Sequence, residues 1–217
     1  MNVTIAGAHG QIALRLARLL AARGDRVTGL VRNPEHVAEV SEAGASPVVC
    51  DLERASVEEI AAAVNGTDAV VFAAGGGPGS GAARKLTMDR DGAVKLLGAA
   101  TTAGIARYLM ISATGAENPP DGDGVFDVYL QAKAAADAAV AASDRDWTII
   151  RPGALTNDEG TGHVRIGRAP FSAPVPRDDV ASVLVELLGD RRSSGQILYL
   201  SSGPQLVGQA LDEALNS

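Results

Sequence analysis

Tyr129 and Lys133 stand four residues apart in Tyr129-Leu130-Gln131-Ala132-Lys133, inside an alanine-rich stretch that reads as a helix. At that spacing two side chains share one helical face. The pair can do acid–base chemistry. A free phenol has a pKa of about 10 and is a poor proton carrier at neutral pH. A neighbouring ammonium favours the phenolate. Bringing the phenol to about pH 7 takes roughly 3 pKa units, or about 4 kcal/mol of differential interaction. The chain holds 3 Tyr, and its only lysines are Lys85, Lys95 and Lys133. In so sparse a chain one such spacing arises by chance with a probability of about 0.04. The spacing is therefore informative.

A second group sits at the other end of the chain. Gly7-Ala8-His9-Gly10-Gln11-Ile12-Ala13 follows the apolar run Val3 to Ala6 and opens an amphipathic stretch from Gln11 to Ala22. A strand running into a helix through glycines exposes backbone amides and the positive end of the helix dipole to an anion. Gly7 permits the tight turn, Gly10 permits close approach of a diphosphate, and Ala13 lets the helix pack on the strand. His9 is expected beside that diphosphate, with Ala8, Gln11 and Ile12 completing the loop. The spacing is GxxGxxA rather than GxGxxG, and its position after a strand carries the dinucleotide reading.

The next strand end bears on the cofactor. NAD-binding proteins place Asp or Glu there, about 20 residues after the glycines, to hold the ribose hydroxyls. This chain has Leu30-Val31-Arg32-Asn33 and no acid. The planar fork of Arg32 matches a 2′-phosphate. NADP is therefore expected over NAD. Cys50-Asp51-Leu52 ends the third strand, where Asp51 can meet the adenine amino group or simply cap a loop, and Leu52 can pack on the ring. Ala73-Ala74-Gly75 ends the fourth. Small residues there let a ribose or nicotinamide lie against the backbone.

These positions need elements to carry them. Strands are predicted over 3–6, 26–31, 46–50, 69–73, 108–111, 147–150 and 196–200. Helices are predicted over 11–22, from the Asn33-Pro34 cap, over 56–64, 82–103, 126–143, 178–188 and 204–215. Ser56 and Glu59 form a capping-box pattern. The alternation predicts an α/β fold, a single Rossmann-type doubly wound parallel sheet flanked by helices. The core is expected over about 1–150, with a small C-terminal substrate cap over about 151–217. The glycine-rich stretch Gly75-Gly76-Gly77-Pro78-Gly79-Ser80-Gly81 follows a buried strand, so it reads as a loop over a site.

The 217 residues carry 46% hydrophobic and 21% charged side chains, close to a globular average, and aromatics are only 3%. The net charge of -7 argues against nucleic acid or an anionic membrane as partner. Cys50 is the only cysteine, which excludes an internal disulfide and a cysteine-built zinc site. No apolar run is long enough to span a membrane. No basic segment precedes an apolar one at the start, so a cytoplasmic location is the expectation. No cluster has metal-ligand spacing, and no Gly-x-Ser-x-Gly elbow supports a hydrolase. A small-molecule substrate is the expected partner, with monomer and homodimer both open.

Taken in order, Gly7-x-x-Gly10-x-x-Ala13, Val31-Arg32, Cys50-Asp51-Leu52, Phe72-Ala73-Ala74-Gly75, Asp91-Gly92, Tyr129-x-x-x-Lys133, Trp147 to Gly153 and Arg177-Asp178-Asp179-Val180-Ala181 resemble the atypical NAD(P)H-binding branch of the short-chain dehydrogenase/reductases. That branch includes NmrA-like and flavin/biliverdin-reductase-like proteins. The resemblance implies that Tyr129 moves a proton during hydride transfer and that Lys133 also holds the nicotinamide ribose. It implies a carbonyl-polarising hydroxyl at the end of the fifth strand, from Ser112 or Thr114, which share a face if the strand continues. Asp91 stands where many relatives carry an Asn that supports the lysine. Arg151-Pro152-Gly153 would border the nicotinamide. His163 reads as a surface or cap residue.

The expected function is an NADP-dependent oxidoreductase acting on a small carbonyl, quinone or flavin, or a related epimerase. The alternative is a non-catalytic NADP-sensing regulator of NmrA type.

Overall fold

A computed structural model describes residues 1–77 and 79–216. Pro78, within the predicted glycine loop, lies outside the described residues. The centre is a sheet of nine strands in the order β11-β8-β10-β6-β5-β4-β1-β2-β3. These are β1 (Asn2–Ala6), β2 (Arg26–Val31), β3 (Ser46–Val49), β4 (Ala69–Phe72), β5 (Arg107–Ile111), β6 (Asp146–Pro152), β8 (His163–Gly167), β10 (Gln196–Ser202) and β11 (Gln205–Leu206). Short β7 (Leu155–Thr156) and β9 (Val175–Pro176) pair separately. From β3 to β10 every pairing is parallel; β8 runs antiparallel to both β10 and β11.

Parallel strands need crossover helices on both faces. On one face α1 (Gln11–Ala22) packs against α7 (Arg177–Gly189), with α8 (Val207–Asn216) beside it. On the other, α3 (Val57–Ala63), α5 (Asp91–Thr102) and α6 (Val125–Ala141) cover the sheet. All four residues of β4 are sealed from solvent, as a strand with helices on both sides must be. The helix starts follow their sequence signals. Ser56 accepts from Glu59 N at 3.2 Å while Glu59 accepts from Ser56 N at 2.8 Å. A cap of this kind is worth about 1 kcal/mol. Asn33 caps the turn that leads into α2 (Val37–Glu42).

Two departures from the sequence reading matter. The helix expected over 82–103 is interrupted. Ala82–Arg84 forms α4, Lys85–Arg90 is a π turn, and α5 follows. The C-terminal region also adds a strand that the sequence reading did not include, β8, beside the expected strand at 196–200. In β8, Val164 and Ile166 face inward while His163 and Arg165 face out, the alternation of a half-buried strand.

Strand order reverses between β1 and β4, with β2 and β3 on one side and β5 and β6 on the other. Crevices at such a reversal, outside the strands' carboxyl ends, are where doubly wound sheets bind ligands. Among the described residues no helix is long and apolar enough to cross a membrane.

Candidate functional site

The crevice at the reversal has two connected parts. A recess of about 210 Å³ is walled by Gly7, His9, Gly10, Arg32, His36 and Arg84. A larger cleft of about 540 Å³ is walled by Ile12, the glycine loop, Ser112, Tyr129 and Lys133. Ala73, Ala74 and Gly75 line both, so the groove runs unbroken across the ends of β1 and β4.

Gly7 is required by backbone and by contact, while Gly10 leaves less room than a methyl needs without a small shift. Gly7 sits at φ +79°, and a Cβ there would fall 2.5 Å from Ala74 Cα. A Cβ on Gly10 would stand 3.1 Å from Gly7 O. The amides of Gly7 and Ala8 donate to Leu30 O, and Gly10 N donates to Gly7 O. These bonds hold the loop's shape. The first intrahelical bond of α1 is Leu14 N to Gly10 O, so the amides of Gln11, Ile12 and Ala13 precede it at the exposed helix start. A diphosphate fits this cradle: bare backbone on one side, and on the other amides with no partner among the described residues and a helix dipole.

His9 lies on the recess wall. Its ring stacks on His36 at 3.5 Å, and its Nε2 lies 2.7 Å from Glu39 Oε2. Arg32 is half exposed at the same end, with Nη1 3.4 Å from Glu53 Oε2. Glu53 is shared: Arg84 Nε donates to it at 3.3 Å and the Thr87 hydroxyl at 2.6 Å. Burial raises the Glu53 pKa, but the Thr87 hydrogen bond and the Arg84 and Arg32 charges outweigh it and hold the carboxyl below its ordinary range. Asp51 turns its carboxylate to Glu53 N at 3.0 Å, capping its own loop. Leu52 is 4% exposed and packed in the core, leaving little surface to lie against a ring.

At the other end of the groove, α6 presents Tyr129 and Lys133 to the cleft. Lys133 Nζ donates to Ile111 O at 3.1 Å and lies 3.3 Å from Asp89 Oδ1. The two side chains are 4% and 1% exposed. Asp89 Oδ2 accepts from Gly76 N at 2.9 Å, which ties the glycine loop to the same pair. Lys133 Nζ is 5.9 Å from the centre of the Tyr129 ring, and Lys85 Nζ is 5.5 Å from it.

The phenol responds differently from the sequence reading. Burial raises its pKa most. Lys133 pulls it down, while Asp89 and Asp137 push it up again, and the balance lies above the ordinary value. The phenol is the proton-carrying form at neutral pH, suited to donate. The two acids had no part in the sequence argument.

Ser112 and Thr114 part company because β5 ends at Ile111 and the chain turns. Ser112 lines the cleft, and its hydroxyl donates to Asp137 Oδ2 at 2.8 Å. Thr114 is away from the cleft wall and donates to Arg151 O at 3.3 Å. Asp137 also takes Arg151 Nε at 3.0 Å, and burial pushes its pKa up against the Ser112 and Arg151 contacts that pull it down. Pro152 is buried in β6, its carbonyl accepting from Thr114 N. Asp91 faces away and pairs with Arg90 at 2.6 Å. The acid at Lys133 is Asp89, two residues earlier. His163 lies on β8, its ring against Thr161 O.

Comparison with known proteins places this chain in a family. The model of a family described as NAD(P)H-binding matches residues 7–191. The Bacillus subtilis protein YhfK, named as an uncharacterized sugar epimerase, is 39% identical over 97% of this chain and 99% of its own. A Bacillus halodurans structure named for the NAD-dependent epimerase/dehydratases superposes with a TM-score of 0.91 at 35% identity, covering 98% of this chain and 99% of that one. The oxidoreductase ylbE of Lactococcus lactis superposes at 0.89 with 30% identity, covering 100% and 98%. The protein belongs to the NAD(P)H-binding family.

Proposed function

We propose that this protein is an NADPH-dependent reductase of small carbonyl compounds, with Tyr129 as proton donor. The observation that carries the reading is the Tyr129–Lys133 pair on one face of α6, opening into the cleft that continues the dinucleotide groove. When bound, the reduced nicotinamide supplies the hydride. Tyr129 donates its phenolic proton to the carbonyl oxygen as the carbon is reduced. Lys133, fixed by Ile111 O and Asp89, sets its ammonium near the ring and stabilises the phenolate left behind. Ser112 lies on the same wall, its proton directed to Asp137. Gln11 and Ile12 amides and the bare glycines hold the diphosphate, and Arg32 takes the 2′-phosphate, which favours NADPH over NADH.

The raised phenol pKa supports the reducing direction over alcohol oxidation, because the donor is protonated at neutral pH. The test is to follow loss of reduced nicotinamide absorbance with NADPH and with NADH across ketones, quinones and free flavin. Faster turnover with NADPH, lost in Tyr129→Phe while NADPH still binds, supports the reading. NADPH binding without turnover of any member, unaltered by Tyr129→Phe, returns the protein to a nucleotide sensor.

A further inference from the structure

Lys85 is a buried cation that the proposed chemistry does not use. Four cationic side chains are buried among the described residues: Lys85, Arg107, Lys133 and Arg151. Three have a carboxylate: Arg107 has Asp146, Lys133 has Asp89 and Arg151 has Asp137. Lys85, 9% exposed, has no carboxylate within ion-pair distance among the described residues. Its Nζ donates to Gly77 O at 2.8 Å and faces the Tyr129 ring at 5.5 Å. An ammonium has three donors, and one is engaged by a neutral carbonyl. Buried charges are otherwise paired, because removing them from water is costly.

The position of this cation indicates what would pair with it. Lys85 lines the larger cleft together with Phe126, its Nζ 5.5 Å from the Tyr129 ring, and does not line the recess of Gly7 and Gly10. The same cleft carries exposed apolar lining. Val125, Phe126 and Leu155 line it and stay exposed, Phe126 at 67%. Lys85 and Lys133 approach the same ring, so an anion at Lys85 lies close to the carbonyl that Tyr129 serves.

We infer that the substrate is a carbonyl acid: an apolar body against Phe126 and Val125, with a carboxylate close to the carbonyl and held by Lys85. This rests on the reductase reading for the carbonyl and on the unpaired lysine for the acid. Lys85 is then a specificity-determining residue. It sets which carbonyl compounds bind and leaves the proton step to Tyr129.

The probes are benzoylformate and its methyl ester, which share the ketone and ring and differ in the charge. Their binding to the NADP⁺-loaded protein is read by calorimetry, where nothing turns over. The expected result is that benzoylformate binds at least about ten-fold more tightly than the ester. Lys85→Met brings the two within about twofold, Lys85→Arg keeps the preference, and the affinity for NADPH alone stays within about twofold in both variants. Equal binding of the two probes by the unaltered protein overturns the inference without any variant. So does an intact preference in Lys85→Met. Weaker NADPH binding in Lys85→Met with the preference unchanged would also overturn it and assign the lysine to the cofactor's diphosphate. Turnover of neutral ketones without acid preference leaves the reductase reading standing and this one fallen. Acid-selective binding without turnover of any carbonyl keeps Lys85 as a carboxylate site but overturns the reductase reading and, with it, the carbonyl-acid substrate.

Discussion

Asp89 Oδ1 lies 3.3 Å from Lys133 Nζ, and both side chains are closed off from solvent. Removing one partner of such a pair leaves a bare charge in the protein, which costs about 3–5 kcal/mol. Asp89→Asn should therefore lower unfolding stability by about that amount, read by urea denaturation. The Asp89→Leu/Lys133→Met double variant should recover most of the loss, since matched apolar replacements of buried pairs are often neutral. Additive losses in the double variant would show that the two side chains stabilise the fold independently.

The Tyr129 phenol makes a pH prediction. Its pKa is raised, so the proton-bearing form persists above the ordinary range of a tyrosine. A donor works only while protonated. The reduction rate should be level through neutral pH and fall only as the solution becomes strongly alkaline, above about pH 10. The pH–rate profile checks it. A drop between about pH 6 and pH 8 would mean that Lys133 governs the phenol and that burial does not. Tyr129→Phe should cost roughly 10²–10⁴-fold in kcat with NADPH affinity preserved.

Much of this arrangement was legible beforehand. Helix α1 and strand β2 have the bounds that apolar spacing indicates, because short buried runs and glycine stops are local signals. The Tyr129–Lys133 face was legible for the same reason. The other partners were not. A 3.6-residue period carries straight through 82–103, but the π turn at Lys85–Arg90 adds a residue and resets which side chains face inward. That puts Asp89 against Lys133 and sends Asp91 to the surface. Ser112 and Thr114 shared a face only while β5 continued, and nothing in Ile111-Ser112-Ala113-Thr114 marks where it stops. Strand β8 did carry a signal in the alternation of Val164 and Ile166 with His163 and Arg165.

Glu53 offers a prediction of gain. Its carboxylate meets Arg32 at 3.4 Å and Arg84 at 3.3 Å, beside the expected 2′-phosphate. An anion there repels a phosphate and competes for both guanidinium groups. Glu53→Gln should tighten NADPH binding several-fold and leave NADH nearly unchanged. Arg32→Ala should do the opposite, weakening NADPH by about ten-fold or more, as expected for a charge-assisted contact. Titrations of each nucleotide at two salt concentrations check both. Equal effects on NADPH and NADH would remove Arg32 from the phosphate site.

Gly7 and Gly10 separate folding from binding. Gly7 needs φ +79°, and its added methyl meets Ala74 backbone at 2.5 Å. The left-handed backbone alone costs a side chain about 1–3 kcal/mol, and the clash adds to it. Gly7→Ala should lower the melting temperature of the ligand-free protein. Gly10 has an ordinary φ of -64°, and its added methyl stands 3.1 Å from Gly7 O. A shift of a few tenths of an ångström relieves that contact, but the methyl then fills the recess where the diphosphate must approach the helix start. Gly10→Ala should keep a melting temperature near that of the unaltered protein and lose most of the stabilisation that NADPH gives. That stabilisation is about 2.7 kcal/mol at 100 times the dissociation constant. If Gly10→Ala melts higher with NADPH by the full amount, the diphosphate does not lie against Gly10, and the cradle must be sought nearer Ala73 and Ala74.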